Sequence, residues 1–300
     1  MTLEFIHDSN AIYGEVLGLK THLHRLTAKN PSPFTYTGTG TYIVGGSSVA
    51  VIDPGPIIEE HIEGIIKALE GKTLSHIIIT HTHLDHSPAA IPLAKEFGAS
   101  ILAFGPHGVG KSGGVMDEEV EEGADKNFKP TRILKDSEYI EGEGWTLKAI
   151  HTPGHTSNHM CFLWIEENVL FTGDHIMGWS TSIVSPPDGD MAAYMASLEK
   201  IKALGAKVLY PTHGPAINNS DKFIDELIKH RLNREKNIYE AVKAGHNSLQ
   251  NITKIVYTHI GPGLIRAAER NTLAHLIYLI EQGNITSDIP PSPEAMFEVK

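Results

Sequence analysis

Cysteine is almost absent from this 300-residue sequence, which contains only Cys161. A single cysteine cannot form an intramolecular disulfide, and this is typical of proteins from reducing compartments. No run of about 18 apolar residues occurs, so the sequence predicts no membrane-spanning helix and no membrane partner. The N-terminal stretch lacks a basic segment followed by an apolar one, so it predicts no signal peptide. We therefore expect a cytoplasmic protein.

Basic residues are also scarce: 25 Lys and Arg stand against 36 Asp and Glu, for a formal net charge of -11. The whole imbalance lies in residues 1–220, which hold 15 basic and 26 acidic residues. An acidic surface repels phosphate backbones, so the charge favours a small-molecule substrate over RNA. Bound metal cations would reverse this field locally.

The hydrophobic pattern predicts two domains with a boundary near residue 220, namely 1–220 and 221–300. Short β-branched runs alternate with helical patterns in the first part, which predicts an α/β domain. Strands are predicted at 41–53 (as a hairpin), 75–80, 100–104, 132–134, 145–150, 160–165, 168–172 and 207–211. Helices are predicted between them at 57–70, 88–97 and 191–204. The second part predicts a small helical domain, with helices at 221–244, 247–260 and 262–283 before a Pro-rich tail.

Histidine is abundant, with 18 residues, and it is concentrated in the motif THTHLDH at 80–86. Four possible metal ligands fall within six residues, at His81, His83, Asp85 and His86. The motif follows a predicted strand and precedes a predicted helix, so we expect a loop that turns these side chains toward one point. Imidazole nitrogens and carboxylate oxygens are good zinc ligands.

Three further candidates each follow a predicted strand. His155 lies in HTPGHTSNH, Asp174 in FTGDH and His213 in YPTHG. Open α/β sheets build their sites at the carboxyl ends of strands, so these side chains are expected near the first motif. His151 competes with His155 for the same role, but the Pro-Gly bend before His155 favours the latter.

The motifs HTHLDH, TPGHT, TGD and PTHGP, in this order, resemble the metallo-β-lactamase superfamily over roughly residues 30–217. The resemblance implies an αβ/βα sandwich that holds two Zn²⁺ ions, although Mn²⁺ or iron suits the same ligands. It implies one ion at His81, His83 and His155, a second ion at Asp85, His86 and His213, and Asp174 as the bridge between them.

Other segments, TPGHTSNHM, GDHIMG and HRLNRE, resemble the β-lactamase-like protein 2 group of that superfamily. This implies that residues 221–300 form a winged-helix-like domain. The group includes an endoribonuclease that acts on single-stranded RNA and relatives that cleave thioesters. The resemblance therefore leaves the substrate open, and no oligomeric state follows from the sequence.

Two metal ions can share a hydroxide that attacks a substrate at neutral pH, and Asp85 and Asp174 are expected to orient it or accept its proton. We therefore expect a zinc-dependent hydrolase acting on a small ester, thioester, lactone or amide. A structural metal site is disfavoured, because seven ligands leave positions for water around two ions, whereas structural zinc is closed by four.

Cleavage of single-stranded RNA is the alternative function. The predicted helix at 221–244 carries four basic residues that would contact phosphates. Acidic residues are interspersed with them, however, and this is typical of a solvated helix face. The four are Lys229, Arg231, Arg234 and Lys236.

Four aromatic or imidazole side chains near the motifs are candidates for the substrate pocket: His151, His159, His175 and Trp179. The imidazoles would orient ligands or donate to the substrate, but ordinary loop or packing roles fit these residues as well.

A phosphate-binding pattern, GPHGVGKS, occurs at 105–112. The two glycines and the acidic run that follow it make a poor helix start and a repulsive environment for nucleotide. The sequence therefore predicts no nucleotide site here.

Overall fold

Two β-sheets lie face to face in the larger domain of the computed structural model, which describes residues 3–8, 11–111 and 123–300. The first sheet has seven strands in chain order among the described residues. Its first four strands are antiparallel, and the remaining three run parallel to the fourth. They are β1 (Leu17–Lys20), β2 (Leu23–Thr27), β3 (Gly40–Gly45), β4 (Ser48–Ile52), β5 (Thr73–Ile78), β6 (Ser100–Ala103) and β7 (Arg132–Ile133).

The second sheet has five strands in the order β12-β11-β10-β9-β8. All neighbours are antiparallel except β11 and β12, which are parallel. The strands are β8 (Tyr139–Gly142), β9 (Trp145–His151), β10 (Met160–Trp164), β11 (Val169–Gly173) and β12 (Val208–Pro211).

Alternating side chains on the buried strands form the layers of the sandwich. In β4, Ala50 and Ile52 face the second sheet, whereas Val49 and Val51 face outward. The outward side is covered by α1 (Glu59–Ala68) and α2 (Ala90–Phe97). On β10, Phe162 likewise faces the first sheet, whereas Cys161 packs toward the helices on the other side.

The helices that cover the second sheet are α3 (Met191–Lys202) and the first half of α4 (Ser220–Lys243). The layers are thus helix, sheet, sheet, helix, and the predicted αβ/βα sandwich is confirmed. Asp190 caps α3 by accepting a hydrogen bond from the backbone N–H of Ala193 at 2.9 Å, which fixes the start of the helix.

Helix α4 contributes to two hydrophobic clusters. Phe223 and Leu227 in its first half pack in the larger domain, whereas Ile238 and Val242 in its second half pack in a separate C-terminal cluster. The helix begins at Ser220, close to the predicted domain boundary, and that boundary stays a prediction because the helix belongs to both cores.

The C-terminal domain contains α5 (Leu249–Val256), a 3₁₀ turn (Pro262–Leu264), α6 (Ile265–Glu281) and the antiparallel pair β13 (Ile285–Ser287) and β14 (Phe297–Val299). The predicted helix over 247–260 is shorter in the structure. The Pro-rich tail returns as a short strand, which three residues of alternating pattern were too few to predict. Among the described residues, no helix is both long and apolar enough to cross a membrane.

Candidate metal centre

The loop after β5 gathers four of the predicted ligands. Backbone hydrogen bonds from the N–H groups of His86 and Ser87 to the carbonyl oxygen of His83 close a tight turn. As a result, His81 Nε2 lies 2.9 Å from His83 Nδ1. The ligands that lie close together in the motif are therefore also close together in space.

His155 approaches the same point from the loop after β9. His155 Nε2 lies 3.2 Å from His83 Nδ1. The imidazoles of His81, His83 and His155 thus form one group of possible metal ligands. Its neighbour Gly154 has a φ of +141° and packs so closely on the Tyr194 backbone that a Cβ atom would lie 2.4 Å from Tyr194 Cα. Glycine thus allows this bend to pack closely on the Tyr194 backbone, and we expect that packing to position His155.

A second group forms around Asp85. Its Oδ2 lies 3.1 Å from Nε2 of His213, which follows β12, and 3.6 Å from His86 Nε2. These three side chains also place one ligand atom each within 4.8 Å of one another.

Asp174 lies between the two groups. Its Oδ2 is 3.9 Å from His155 Nε2 and 3.6 Å from His86 Nε2, and its Oδ1 is 3.4 Å from His213 Nε2. The structure therefore brings all seven predicted side chains together at the ends of four strands.

The donor atoms fit metal ions. Ligands at zinc–nitrogen distances of about 2.0–2.1 Å in a tetrahedron lie about 3.3 Å apart, close to the separations seen here. Within the described part of the chain, the buried Nε2 atom of His86 and Oδ1 of Asp174 have no hydrogen-bond partner. Buried polar atoms left in this way are costly, and metal ions would satisfy them.

The opposite ring nitrogens of three histidines are held in place. His155 Nδ1 donates to the carbonyl oxygen of Ile183 at 2.6 Å, and His213 Nδ1 donates to that of Gly38 at 3.1 Å. His86 Nδ1 lies 2.9 Å from Asp53 Oδ2. A hydrogen bond at Nδ1 leaves the Nε2 lone pair directed at the centre, which is how metal-binding histidines are usually oriented.

Asp53 is a site residue that the sequence analysis missed. Its buried carboxylate also accepts hydrogen bonds from the Thr80 N–H (2.8 Å), the Thr80 hydroxyl (2.7 Å) and the Thr212 hydroxyl (2.8 Å). Its φ of 47° is uncommon for a residue other than glycine. The available signal was its position directly after β4, where the other strand-end ligands also lie.

The charges of the centre depend on one another. Burial and the neighbouring imidazoles hold the pKa of His81 well below its usual value, so its ring is neutral. Burial opposes ionisation of Asp174, but His213 and His86 lower its pKa to about 2. Burial opposes protonation of His86 and His213, but Asp85 and Asp174 raise the pKa of both imidazoles. Cations bind neutral imidazoles and ionised carboxylates, so metal ions would displace protons from these two histidines.

The four predicted pocket residues lie around the centre but do not line the cavity that opens onto it. His159 is buried, with Nδ1 2.9 Å from the Thr152 hydroxyl and Nε2 accepting from the Asp174 N–H at 3.3 Å. His151 stacks on Phe104 with ring centroids 3.9 Å apart.

The ring nitrogens of buried His175 have no hydrogen-bond partner among the described residues. Trp179 stacks on Tyr36, with ring centroids 4.9 Å apart. The cavity itself has a volume of about 610 Å³. Besides four of the predicted metal ligands, its lining consists of residues that the sequence analysis did not select, including Phe34 and Leu84.

The basic residues predicted for an RNA-binding face have different environments. Arg231 is buried, and Arg234 lies 3.9 Å over the Tyr257 ring while donating to the Val256 carbonyl. Lys229 and Lys236 are exposed. Helix α4 therefore does not present the four cations as one row.

The described part of the phosphate-binding pattern, residues 105–111, consists mostly of turns. Lys111 Nζ lies 3.7 Å from Asp188 Oδ1. The rest of the pattern, and the part of the acidic run up to residue 122, lie outside the described residues.

The two face-to-face sheets and the cluster of His and Asp side chains that could hold metal ions are typical of one class of hydrolases. Residues 36–213 match the family model of the metallo-β-lactamase superfamily, and residues 248–288 match that of the β-lactamase-associated winged helix domain. The chain belongs to the metallo-β-lactamase superfamily of hydrolases, whose members bind metal ions, and it carries this C-terminal winged-helix domain. The predicted family and both predicted folds are thus confirmed.

The chain is similar to a β-lactamase-like protein 2 homolog from Caenorhabditis elegans, with 35% identity over 83% of this chain and 80% of that protein. An atrochrysone carboxyl ACP thioesterase from Paecilomyces divaricatus is 32% identical over 79% of this chain and 69% of that protein. The chain spans only 60–64% of the length of several other fungal relatives.

Among solved structures, a metallo-β-lactamase family protein from Thermus thermophilus shares the fold. The match has a TM-score of 0.76 at 22% identity and covers 94% of this chain and 100% of that protein.

Proposed function

We propose that this chain is a dinuclear zinc-dependent hydrolase that cleaves a small ester, thioester, lactone or amide. The observation that carries the proposal is the position of Asp174 between two groups of ligand atoms, which suits a carboxylate shared by two ions.

In the proposed centre, His81, His83 and His155 would hold one ion. Asp85 and two further histidines, His86 and His213, would hold the other. Zinc suits this set of nitrogen and oxygen donors, and Mn²⁺ or iron are the alternatives.

Two bound divalent cations would polarise the substrate carbonyl and make water a stronger nucleophile at neutral pH. Asp85 and Asp174 line the cavity, and their carboxylates orient the attacking water by accepting its hydrogen bonds. One carboxylate accepts a proton as the water oxygen bonds to the carbonyl carbon. The bond to the leaving atom then breaks, and the proton passes to that atom.

No covalent enzyme intermediate is part of this proposal. Cys161 is buried, and burial raises the pKa of its thiol to about 12, so it is not a nucleophile at neutral pH.

A cytoplasmic location also stays a prediction, which rests on this lone, reduced cysteine.

The substrate class is supported by charge and by relatives. A relative 32% identical to this chain is an ACP thioesterase, and the negative charge of residues 1–220 disfavours a polyanion. Cleavage of single-stranded RNA is the alternative, and the burial of Arg231 removes one of its predicted phosphate contacts.

Elemental analysis of the purified protein tests the centre. We expect about two zinc ions per chain in the unaltered protein and a loss of bound metal and activity in His213→Ala and Asp85→Ala, with folding retained. His246→Ala, a histidine of the C-terminal domain outside the centre, is the control and should keep both. Full activity in His213→Ala would refute the assignment of the second ion.

A screen of thioester, lactone, β-lactam and single-stranded RNA substrates tests the substrate class. Hydrolysis of a neutral ester or thioester should depend weakly on salt, whereas RNA cleavage should fall steeply as salt rises. Cleavage of RNA alone, with that salt dependence, would overturn the proposal in favour of the nuclease.

A further inference from the structure

The cavity of about 610 Å³ has walls from both domains. Ligand side chains of the candidate centre, including His83 and His155, line this cavity. The N-terminal half of α6 in the winged-helix domain lines it as well, through Arg266, Ala267 and Arg270. A substrate at the metal centre therefore also meets the C-terminal domain.

Arg266 and Arg270 are four residues apart on α6, so both side chains project from the same face of the helix. Ala267 is small and leaves space between them. Arg266 is exposed, whereas Arg270 is half-buried, and its Nη1 lies 3.5 Å from the carbonyl oxygen of Pro186. This contact keeps the Arg270 guanidinium beside Ser185, which also lines the cavity.

Much of the remaining lining is apolar, with Phe34, Leu84, Met177 and Ile183. Phe34 and Leu84 are each 48% exposed, so they leave apolar surface open to a ligand in the cavity. The cavity thus combines proposed metal ligands, apolar side chains and two arginines.

A pair of arginines is notable on a chain with a net charge of -11. The planar guanidinium group forms paired hydrogen bonds with phosphate or carboxylate oxygens, and such charge-assisted bonds are stronger than neutral ones. We propose that Arg266 and Arg270 bind an anionic group of the substrate, so that the enzyme selects acyl compounds carrying a phosphate or carboxylate remote from the scissile carbonyl. This inference rests on the hydrolase function proposed above.

Three thioesters of similar acyl size separate the possibilities. S-butyryl-N-acetylcysteamine is neutral, butyryl-coenzyme A carries phosphates on the thiol side, and S-glutaryl-N-acetylcysteamine carries a carboxylate on the acyl side. We expect a KM at least about tenfold lower for one of the charged compounds than for the neutral one. The compound that is favoured identifies the source of the anion.

Arg266→Gln and Arg270→Gln should each raise that KM about tenfold with kcat changed less than about twofold, and should leave the neutral thioester unaffected. Arg132→Gln, an exposed arginine on β7 outside the cavity, is the matched control. Thermal unfolding of each variant identifies any loss of folding, and Arg270→Lys, which keeps the charge, should lose only part of the effect.

Binding provides a readout without turnover. If the phosphate arm is favoured, calorimetry with S-methyl-coenzyme A should show about tenfold weaker binding in each glutamine variant; if the carboxylate arm is favoured, glutarate should behave in the same way as a competitive inhibitor. Equal KM values for all three thioesters, or equal effects of the variants on charged and neutral substrates, would overturn this inference while leaving the hydrolase function intact. Failure of the unaltered protein to cleave any of the three would instead count against the proposed substrate class.

Discussion

His155 Nδ1 donates a hydrogen bond to the carbonyl oxygen of Ile183 across 2.6 Å. A carbonyl oxygen only accepts, so the ring proton lies on Nδ1 and the Nε2 lone pair faces His83. The orientation of one proposed metal ligand therefore depends on the position of a backbone carbonyl in the 182–184 segment.

That segment is held by the C-terminal part of the chain. Arg231 donates to the carbonyl oxygen of Ser182, and Asn271 Oδ1 accepts from the Val184 N–H at 3.3 Å. Asn271 Oδ1 also accepts from Arg231 Nη1 at 3.1 Å, which joins the two contacts. Helix α6, which also lines the cavity, and helix α4 therefore support the position of a ligand.

Asn271→Ala should weaken the metal centre without removing a ligand. The change leaves buried donors on Arg231 and Val184 without an acceptor, at a cost of about 1–3 kcal/mol in the free energy of unfolding. Freed from these contacts, the segment should hold His155 less firmly, and metal affinity should fall about tenfold or more. Chelator competition measures the affinity, and urea unfolding measures the stability.

The control for this prediction is Thr272→Ala on the same helix. Thr272 is equally buried, but its hydroxyl bonds within α6, to the Ala268 carbonyl. It should lose stability and keep its metal affinity. A destabilised Asn271→Ala protein that binds metal normally would show that His155 does not need this support.

Asp53→Ala should disturb the other group of ligands. Asp53 fixes His86 Nδ1 and joins it to Thr80 and Thr212, which follow strands of the two different sheets. Its removal should lower metal affinity about 10–100-fold, because the imidazole loses the partner that orients it.

Elemental analysis after dialysis and chelator competition would measure this loss. Asp188→Asn is a suitable control, since Asp188 is also buried but accepts these hydrogen bonds from Ser157 N and Oγ and not from a proposed ligand. Equal metal content in Asp53→Ala and the unaltered protein would contradict the orienting role.

The proposed ligands could be predicted because their chemistry is local in sequence. His81 and His83 stand in one compact motif, and His213 directly follows a strand whose apolar run is easily recognised. Asp53 also ends a strand, but it stands alone, and its importance depends on Thr80 and Thr212, which are distant in sequence.

The cavity beside the candidate metal centre could not be predicted from the sequence, for a related reason. Arg266 and Arg270 on α6 show ordinary helical spacing and surface composition. Only the packing of the C-terminal domain against the larger one brings them to the cavity that Asp85 also lines. His159 is the opposite case. Its place in a histidine-rich motif made it a candidate for the substrate pocket. In the structure it is buried and accepts a hydrogen bond from the backbone N–H of Asp174.

The buried histidine His275 should make stability depend on pH. Burial is the main cause that lowers its pKa to about 4, with Glu235 opposing and Arg231 adding to the shift. The pKa in the unfolded chain is about 6.5, so between these values the unfolded state binds more protons. The contribution of His275 to stability is therefore present above pH 6.5 and lost as the pH falls toward 4.

His275→Gln should reduce this dependence. Over one pH unit within the window, a single such group changes the free energy of unfolding by up to about 1.4 kcal/mol. Denaturant unfolding at pH 7 and pH 5 should therefore show a smaller difference for His275→Gln than for the unaltered protein. His246→Gln in the same domain is the control, and an unchanged difference in His275→Gln would exclude His275 as the cause.

Gly154→Ala tests whether the bend before His155 is needed for steric reasons. Gly154 has a φ of +141°, and an added Cβ would lie 2.4 Å from Tyr194 Cα and 2.6 Å from Tyr194 N. These are backbone atoms of α3, which cannot move aside as a flexible side chain would. The loop must therefore shift and carry His155 away from His83.

We expect Gly154→Ala to lose most of its bound metal and activity, and to unfold at a lower denaturant concentration. Gly205→Ala separates the steric effect from backbone strain, because Gly205 also has a positive φ, of +61°, but no atom lies within 4 Å of its added Cβ. Gly205→Ala should show only the modest cost of that strain, about 1 kcal/mol, with normal metal content. If both variants lost metal equally, strain or global destabilisation would explain the loss, and the close packing of Gly154 on Tyr194 would not be what positions His155.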